Sequence, residues 1–348
     1  MKKIHFIYSE NPYQKMWDTF VYFESEPKTK QYLQKIYEIM DEKNGYKFAF
    51  QNTSKFIYFV KQAREYFHSA ENSSIFVKPL LIYYGMMNLI KAVILTKDPS
   101  YPSNTSVLRH GITTRKLKKN NYQFHEDEIK IQKEGLIPLF YTLTTQRPVE
   151  KIEGQKYKIK ELLSLLPEIL DSYKTSFHEQ RIYPIFLDNK LDQDYLKFYL
   201  PQELLSYYHG NKNELLSELN LYHTHKGDYF RFDEKNSSSF LSIELVSEHK
   251  KKDVHISEHP MFLFDFKGRT FFRPILESRF LLSNLMIYYM IMFNLGMLCR
   301  YETELWGEII FSFSSEDMYI INEFINSSLR TFPNLILNEL FQEIYIFQ

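Results

Sequence analysis

The chain has 348 residues, with 43 basic side chains against 43 acidic ones, so no global field draws it to nucleic acid or a membrane surface and any polyanion site has to be local. One cysteine, Cys299, excludes an internal disulfide framework and fits a reducing compartment. Apolar residues at 44%, with only 10 glycines and 13 prolines, exclude a disordered or loop-rich chain and supply a core for one large domain or two to three lobes.

The opening apolar run, Ile4 to Tyr8, is too short for a signal peptide, which makes a cytoplasmic location the expectation. From Asn11 to Ser73 the pattern is helical. Tyr32, Leu33, Ile36, Tyr37 and Met40 fall on one helical face. Phe56, Phe59, Val60, Ala63 and Phe67 repeat that face after a turn at Asn44-Gly45, with Thr53 or Ser54 as the expected cap. A helix over 77–96 follows, with Pro79 in its first turn, where a missing N–H is harmless. It is apolar on most sides and therefore central, and Gly85 admits a close neighbour.

Asp98-Pro99 and Tyr101-Pro102 break that helix, and a cationic loop spans 105–119. The acidic triplet Glu126-Asp127-Glu128 and the alternation through Ile129 and Ile131 read as a short strand or hairpin. Helices are expected from Ile159, stopping at Pro167, and from Pro201. Between 221 and 275 the texture turns to strand. Asp228–Asp233 with Phe240–Val246 reads as one hairpin, and Met261–Phe266 with Arg269–Arg273 across Lys267-Gly268 as another.

The stretch from Phe280 to Cys299 holds no charge and is about the length of a bilayer span. Ser283, Asn284, Asn294, Gly296 and an arginine at each end make it a buried core helix instead. The fold class is mainly α with a small antiparallel β insertion (α+β). Regions 1–150, 151–220, 221–275 and 276–348 form one compact multi-lobed unit. The central helices 77–96 and 280–300 pack on each other and bury Tyr83, Met87, Leu89, Tyr288, Met292 and Leu295.

The candidate site is the cationic loop. Arg109, His110, Arg115, Lys116, Lys118 and Lys119 crowd into it, with the hydroxyls of Thr105, Ser106, Thr113 and Thr114. Gly111 would let backbone approach a ligand closely. Guanidinium forks, hydroxyls and backbone N–H groups together suit phosphate oxygens. Arg109, His110, Gly111, Thr113, Thr114, Arg115 and Lys116 are the candidate contacts, with Tyr83 and Tyr84 behind them. The competing role for these charges is pairing with Glu126, Asp127 and Glu128.

Other motifs carry less. His255-Ile256-Ser257-Glu258-His259 matches a zinc-protease pattern, but Pro260 disfavours the helix that this chemistry needs. His223 and His225 have no third ligand nearby. Neither a phosphate-binding glycine loop nor a nucleophile elbow occurs. Cys299 reads as a buried thiol, and Arg300 as a helix cap or the partner of a carboxylate. No catalytic residue, metal or cofactor is assigned.

Lys78–Met86, Asp98–Pro102 and Thr105–Lys116 carry a resemblance to the YaaC-like protein family of Firmicutes, extending from Trp17 to the helix near Trp306. The resemblance implies an intracellular protein, often encoded beside IMP dehydrogenase, and hints at guanine-nucleotide metabolism. It brings no accepted catalytic residues. The leading expectation is a regulatory protein that binds a phosphorylated small molecule or nucleotide at the cationic loop and acts on a partner enzyme such as IMP dehydrogenase, with a homo-oligomer possible. The alternatives are an RNA-binding or RNA-cleaving protein and a structural scaffold. A HEPN-like nuclease would use Arg64 and His68, but their spacing is one residue short of that pattern.

Overall fold

The structure, a computed structural model, describes residues 3–40, 43–115, 122–188, 195–222, 227–233, 239–247, 256, 259–274, 282–311 and 317–348. The N-terminal third is helical. In α1 (Pro12–Val21) the Asn11 side chain accepts from the Gln14 amide at 3.1 Å and caps the first turn. After α2 (Glu26–Ile39) the chain turns at Asn44-Gly45 into α3 (Gly45–Glu71). This helix runs straight through the expected cap. Thr53 sits inside it and returns its hydroxyl to the Ala49 carbonyl at 2.6 Å, the alternative use of a threonine in a helix.

Helix α4 (Lys78–Lys97) follows, with Pro79 in its first turn. Gly85 is what brings α3 close. A Cβ there would lie 2.7 Å from the Phe67 ring. Tyr66 stacks on Tyr84 at 5.7 Å, and the Asn88 amide donates to Gln62 at 3.0 Å across the same seam. The helix is long and apolar enough to cross a membrane, but 72% of its apolar window is buried among its neighbours.

Beyond α4 the chain forms β2 (Ile112–Arg115), β3 (Glu128–Ile131), α5 (Leu136–Thr145) and β4 (Lys156–Lys158). The strands make an antiparallel sheet ordered β2-β3-β4. They share the helical core with α6 (Ile159–Leu163) and α7 (Leu170–Phe177).

The β insertion starts earlier than its sequence texture indicated, near residue 183 instead of 221. It comprises β5 (Tyr183–Pro184), β6 (Phe186–Asp188), β7 (Tyr195–Pro201), α8 (Lys212–Leu221), β8 (Asp228–Phe232), β9 (Phe240–Ser247), β10 (Phe262–Phe264) and β11 (Thr270–Phe272). Strand β7 alternates, turning Leu196, Phe198 and Leu200 inward. The helix expected from Pro201 is a 3-10 turn over Gln202–Tyr208. One antiparallel sheet runs β6-β7-β9-β8 and another β10-β11-β5. Both hairpins read from the sequence are present, with Tyr229 opposite Val246 and Phe262 opposite Phe272. Phe198, Phe230, Phe262 and Phe272 centre a core separate from the helical one.

The chain then returns to helix with α9 (Asn284–Tyr301), α10 (Thr303–Phe311) and α11 (Asp317–Phe341). It closes with β12 (Ile344–Phe347), which pairs in parallel with β1 (Ile4–Ile7). Helix α9 packs on α4, Tyr83 meeting Tyr289, Phe293 and Gly296. Tyr83, Leu89, Tyr288, Met292 and Leu295 are buried as expected. Met87 is only half-buried, because it shares the least enclosed stripe of α4 with Tyr84 and Lys91.

Candidate functional site

The cationic loop is built from short-range bonds. Asn104 Oδ1 accepts from the Ser106 amide at 2.9 Å and the Ser106 hydroxyl at 2.6 Å, opening a 3-10 turn over Ser106–Leu108. The next carbonyls are all committed. Leu136 N donates to Arg109 O at 2.7 Å, Ile137 N to His110 O at 3.3 Å and Gln132 N to Gly111 O at 2.9 Å. The loop backbone thus satisfies the first amides of α5, which have no acceptor within their own helix.

Gly111 has φ 75° and faces Gly135, which has φ 129°. A Cβ on Gly111 would come 2.3 Å from Pro138 Cδ, and one on Gly135 would come 2.4 Å from Gly111 Cα. The space a ligand would need at Gly111 is filled by Gly135 and Pro138, so this glycine serves the fold.

Behind the loop the His110 ring lies against Tyr83 and Phe293, with ring centroids 5.5 and 5.3 Å away. The Tyr83 hydroxyl is 2.5 Å from His110 Nδ1 and 3.0 Å from the Tyr289 hydroxyl. Burial pushes the pKa of both tyrosines up, so both keep their protons. Tyr289 is fully buried and has no other hydroxyl partner among the described residues. If His110 donated to Tyr83, Tyr83 would donate to Tyr289, and the Tyr289 proton would be left without an acceptor. The arrangement that satisfies every buried donor is Tyr289 to Tyr83 to His110 Nδ1. His110 Nε2 then carries the remaining proton, and it has no protein partner among the described residues.

The electrostatics agree with a neutral ring. Partial burial draws the His110 pKa down, and the charges of Arg300 and then Lys91 draw it down further. Burial also lowers the Lys91 pKa. Arg300 is exposed at the end of α9, where it donates to the Tyr301 hydroxyl at 2.7 Å and lies over that ring at 4.7 Å. Among the described residues it pairs with no carboxylate. The site is therefore an N–H donor fixed by a hydroxyl relay in a field set by two cations.

A family model described as YaaC-like Protein matches residues 21–340. The chain belongs to the YaaC-like family. No curated protein and no solved structure matches it significantly. The family assignment thus covers both the helical body and the β lobe of this member.

The remaining candidates divide. The four residues of strand β2 carry Arg115 away from His110, a strand length on the order of 13 Å. Arg115 is exposed, and its register partner is Glu128. The Thr113 hydroxyl accepts from the Gln132 side chain at 3.0 Å, while Thr114 is half-buried. Arg109 is exposed beside His110 and forms no ion pair among the described residues. Lys116, Lys118 and Lys119 lie outside the described residues. The other two acids of the triplet work elsewhere: Glu126 pairs with Lys158 at 2.9 Å, and Asp127 accepts from Tyr122 at 2.5 Å and Asn294 at 3.1 Å.

Of the nuclease pair, Arg64 is bound to Glu24, and His68 is exposed on α3 with Glu71 at 3.9 Å. His223, His225 and His255 fall outside the described residues. His259 is buried, with Nε2 2.9 Å from the Leu219 carbonyl and Nδ1 accepting from the Met261 amide at 3.3 Å. The Cys299 thiol donates to the Phe76 carbonyl at 3.0 Å. Sequence reasoning missed Lys91 and Tyr289 as site residues and gave Arg300 a structural role. The readable signal was Lys91 itself, one charge interrupting the apolar run from Leu80 to Leu95.

Proposed function

We propose that the protein is a cytoplasmic regulatory protein that binds a phosphorylated small molecule beside His110 and acts on a partner enzyme. A purine nucleotide is the first ligand class to test, and IMP dehydrogenase is the partner that the family resemblance suggests. The observation that supports this reading is His110 itself. It offers a fixed Nε2–H donor, and the charges that shift it, Arg300 and Lys91, are both positive. A phosphate group satisfies such a donor set, and Arg109 at the mouth adds a fork. The bound anion would raise the His110 pKa, so affinity should rise as pH falls through the histidine range.

Calorimetry against nucleotides, with wild type and the Arg300→Ala and His110→Ala variants, tests this. Saturable binding weakened about ten- to a hundredfold by Arg300→Ala is expected, since a charge-assisted contact contributes roughly 1.5–3 kcal/mol. Equal binding by all three proteins would sink the reading. Cleavage of a labelled RNA pool that is lost in His110→Ala would replace it with the nuclease alternative.

A further inference from the structure

The β lobe meets the helical body around a cavity of about 310 Å³. Its walls come from the β10–β11 hairpin, the start of α9, the side of α11 and β12. Arg273, just past β11, lines it and is only 4% exposed. Arg273 Nε donates to the Pro260 carbonyl at 2.9 Å, but Nη1 is enclosed and has no partner among the described residues. Burial lowers the pKa of this group to about 10, so it stays charged at neutral pH.

Two carboxylates share the wall, and each already has its own cation. Asp265 accepts from the Lys267 and Arg269 amides and pairs with Arg269 Nε at 2.6 Å. Glu339 pairs with Lys97 at 2.9 Å. Among the described residues, Arg273 is left as the uncompensated charge. Water can complete a neutral hydrogen-bond set, but it does not neutralise a buried guanidinium.

Two further features point the same way. Asn284 Oδ1 is enclosed on the same wall without a partner among the described residues, and Thr331 adds a hydroxyl there. Asn284 and Leu285 also open the 18-residue helix α9, where Ser283 Oγ caps the Met286 amide at 3.4 Å and the Asn284 and Leu285 amides have no intrahelical acceptor. A helix start together with a buried, unpaired guanidinium is a receptor for an anion.

We propose that this cavity binds a small metabolite through a phosphate or carboxylate group, with the anion on Arg273 and the first turn of α9, and the neutral part against Asn284 and Thr331. The volume equals about ten waters of liquid and lies at the small end of ligand pockets, which suits a sugar-phosphate-sized molecule. None of the site residues beside His110 lines this cavity, so the two sites are separate. Because its walls come from both cores, occupancy ties the β lobe to the helical body.

The test is thermal melting of the full chain in orthophosphate or acetate against chloride at equal ionic strength. A saturable rise in melting temperature is expected with one of the anions, and which one identifies the head group. Arg273→Met should abolish the rise and melt no lower than its parent in chloride, since it removes an unpaired buried charge. The measurements are made in the Arg300→Ala background, which weakens the His110 site, so that the rise reads this cavity alone. Arg273→Lys, the check if Arg273→Met does not fold, keeps the charge but loses the planar fork and should weaken the anion about fivefold. The proposal is overturned by no saturable rise with either anion in the Arg300→Ala background, or by an equal rise when Arg273→Met is added to it. An Arg273→Met protein that folds but melts well below its parent in chloride overturns it too, as does an Arg273→Lys protein of unchanged affinity.

Discussion

Among the described residues Arg109 and Arg273 both lack a carboxylate partner, yet their surroundings are opposite. Arg109 stands in water at the edge of the helical body, where an unpaired guanidinium costs almost nothing and screening weakens whatever it does. Arg273 is enclosed between the two cores, where the same group is expensive unless an anion joins it. A run of cations in the sequence is therefore a poorer guide to a ligand than a single cation in the wrong environment. Within the cationic loop, it is the half-buried His110 that acquires a defined tautomer and a directed donor.

The sharpest way to probe this contrast is in the loop backbone. Gly111→Ala should cost about 2–5 kcal/mol, from a positive φ and the collision with Pro138. Chemical denaturation measures it. A loss under about 1 kcal/mol would mean that the loop backbone is not the fixed support described above.

The next largest effect contrasts the buried base with a buried acid. The Glu168 carboxyl, with Oε1 enclosed and Oε2 accepting from Tyr288 at 3.0 Å, is pushed up from 4.5 to about 7. Burial is the main cause, the charge of Asp265 adds to it, and hydrogen bonds from the backbone and Tyr288 pull the other way. Arg273 stays charged, whereas Glu168 takes a proton instead. Between pH 4.5 and 7 the folded state holds a proton that the unfolded chain has lost, so stability falls as pH rises. The expected loss over that window is roughly 3 kcal/mol. Glu168→Gln should flatten the pH profile of denaturation; an unchanged slope would contradict the raised pKa.

Smaller still is Tyr83→Phe, which strands the Tyr289 hydroxyl and His110 Nδ1. A loss of about 1–2 kcal/mol is expected. Nitrogen NMR of His110 should show the ring leaving its single Nε2–H tautomer. A ring that keeps that tautomer in the variant would break the relay.

The smallest effect belongs to the exposed charge. Arg109→Ala should change the stability of the free protein by no more than about 0.5 kcal/mol. A larger loss would place Arg109 in the fold and erase its contrast with Arg273.

Much of the architecture was legible in the chain itself. Pro79 and the apolar run after it mark α4, the alternation in 228–246 and 261–273 marks two hairpins, and the apolar stretch before Arg300 marks α9. These are local signals: helical period, caps and turn residues act over a few positions and need no partner to be read. Four features were settled only by tertiary structure. The 3.0 Å bond between Tyr83 and Tyr289 joins residues 206 positions apart. Strands β1 and β12 bring together the two ends of the described chain. Gly111 was read as room for a ligand until Gly135 and Pro138 occupied that room. Arg273 reads as one charge ending a strand, and only the docking of two cores turns it into a buried cation in want of an anion. In each case the deciding quantity is which atoms exclude water from a group, and distant segments set that by packing, whereas local pattern sets only where each segment begins, ends and turns.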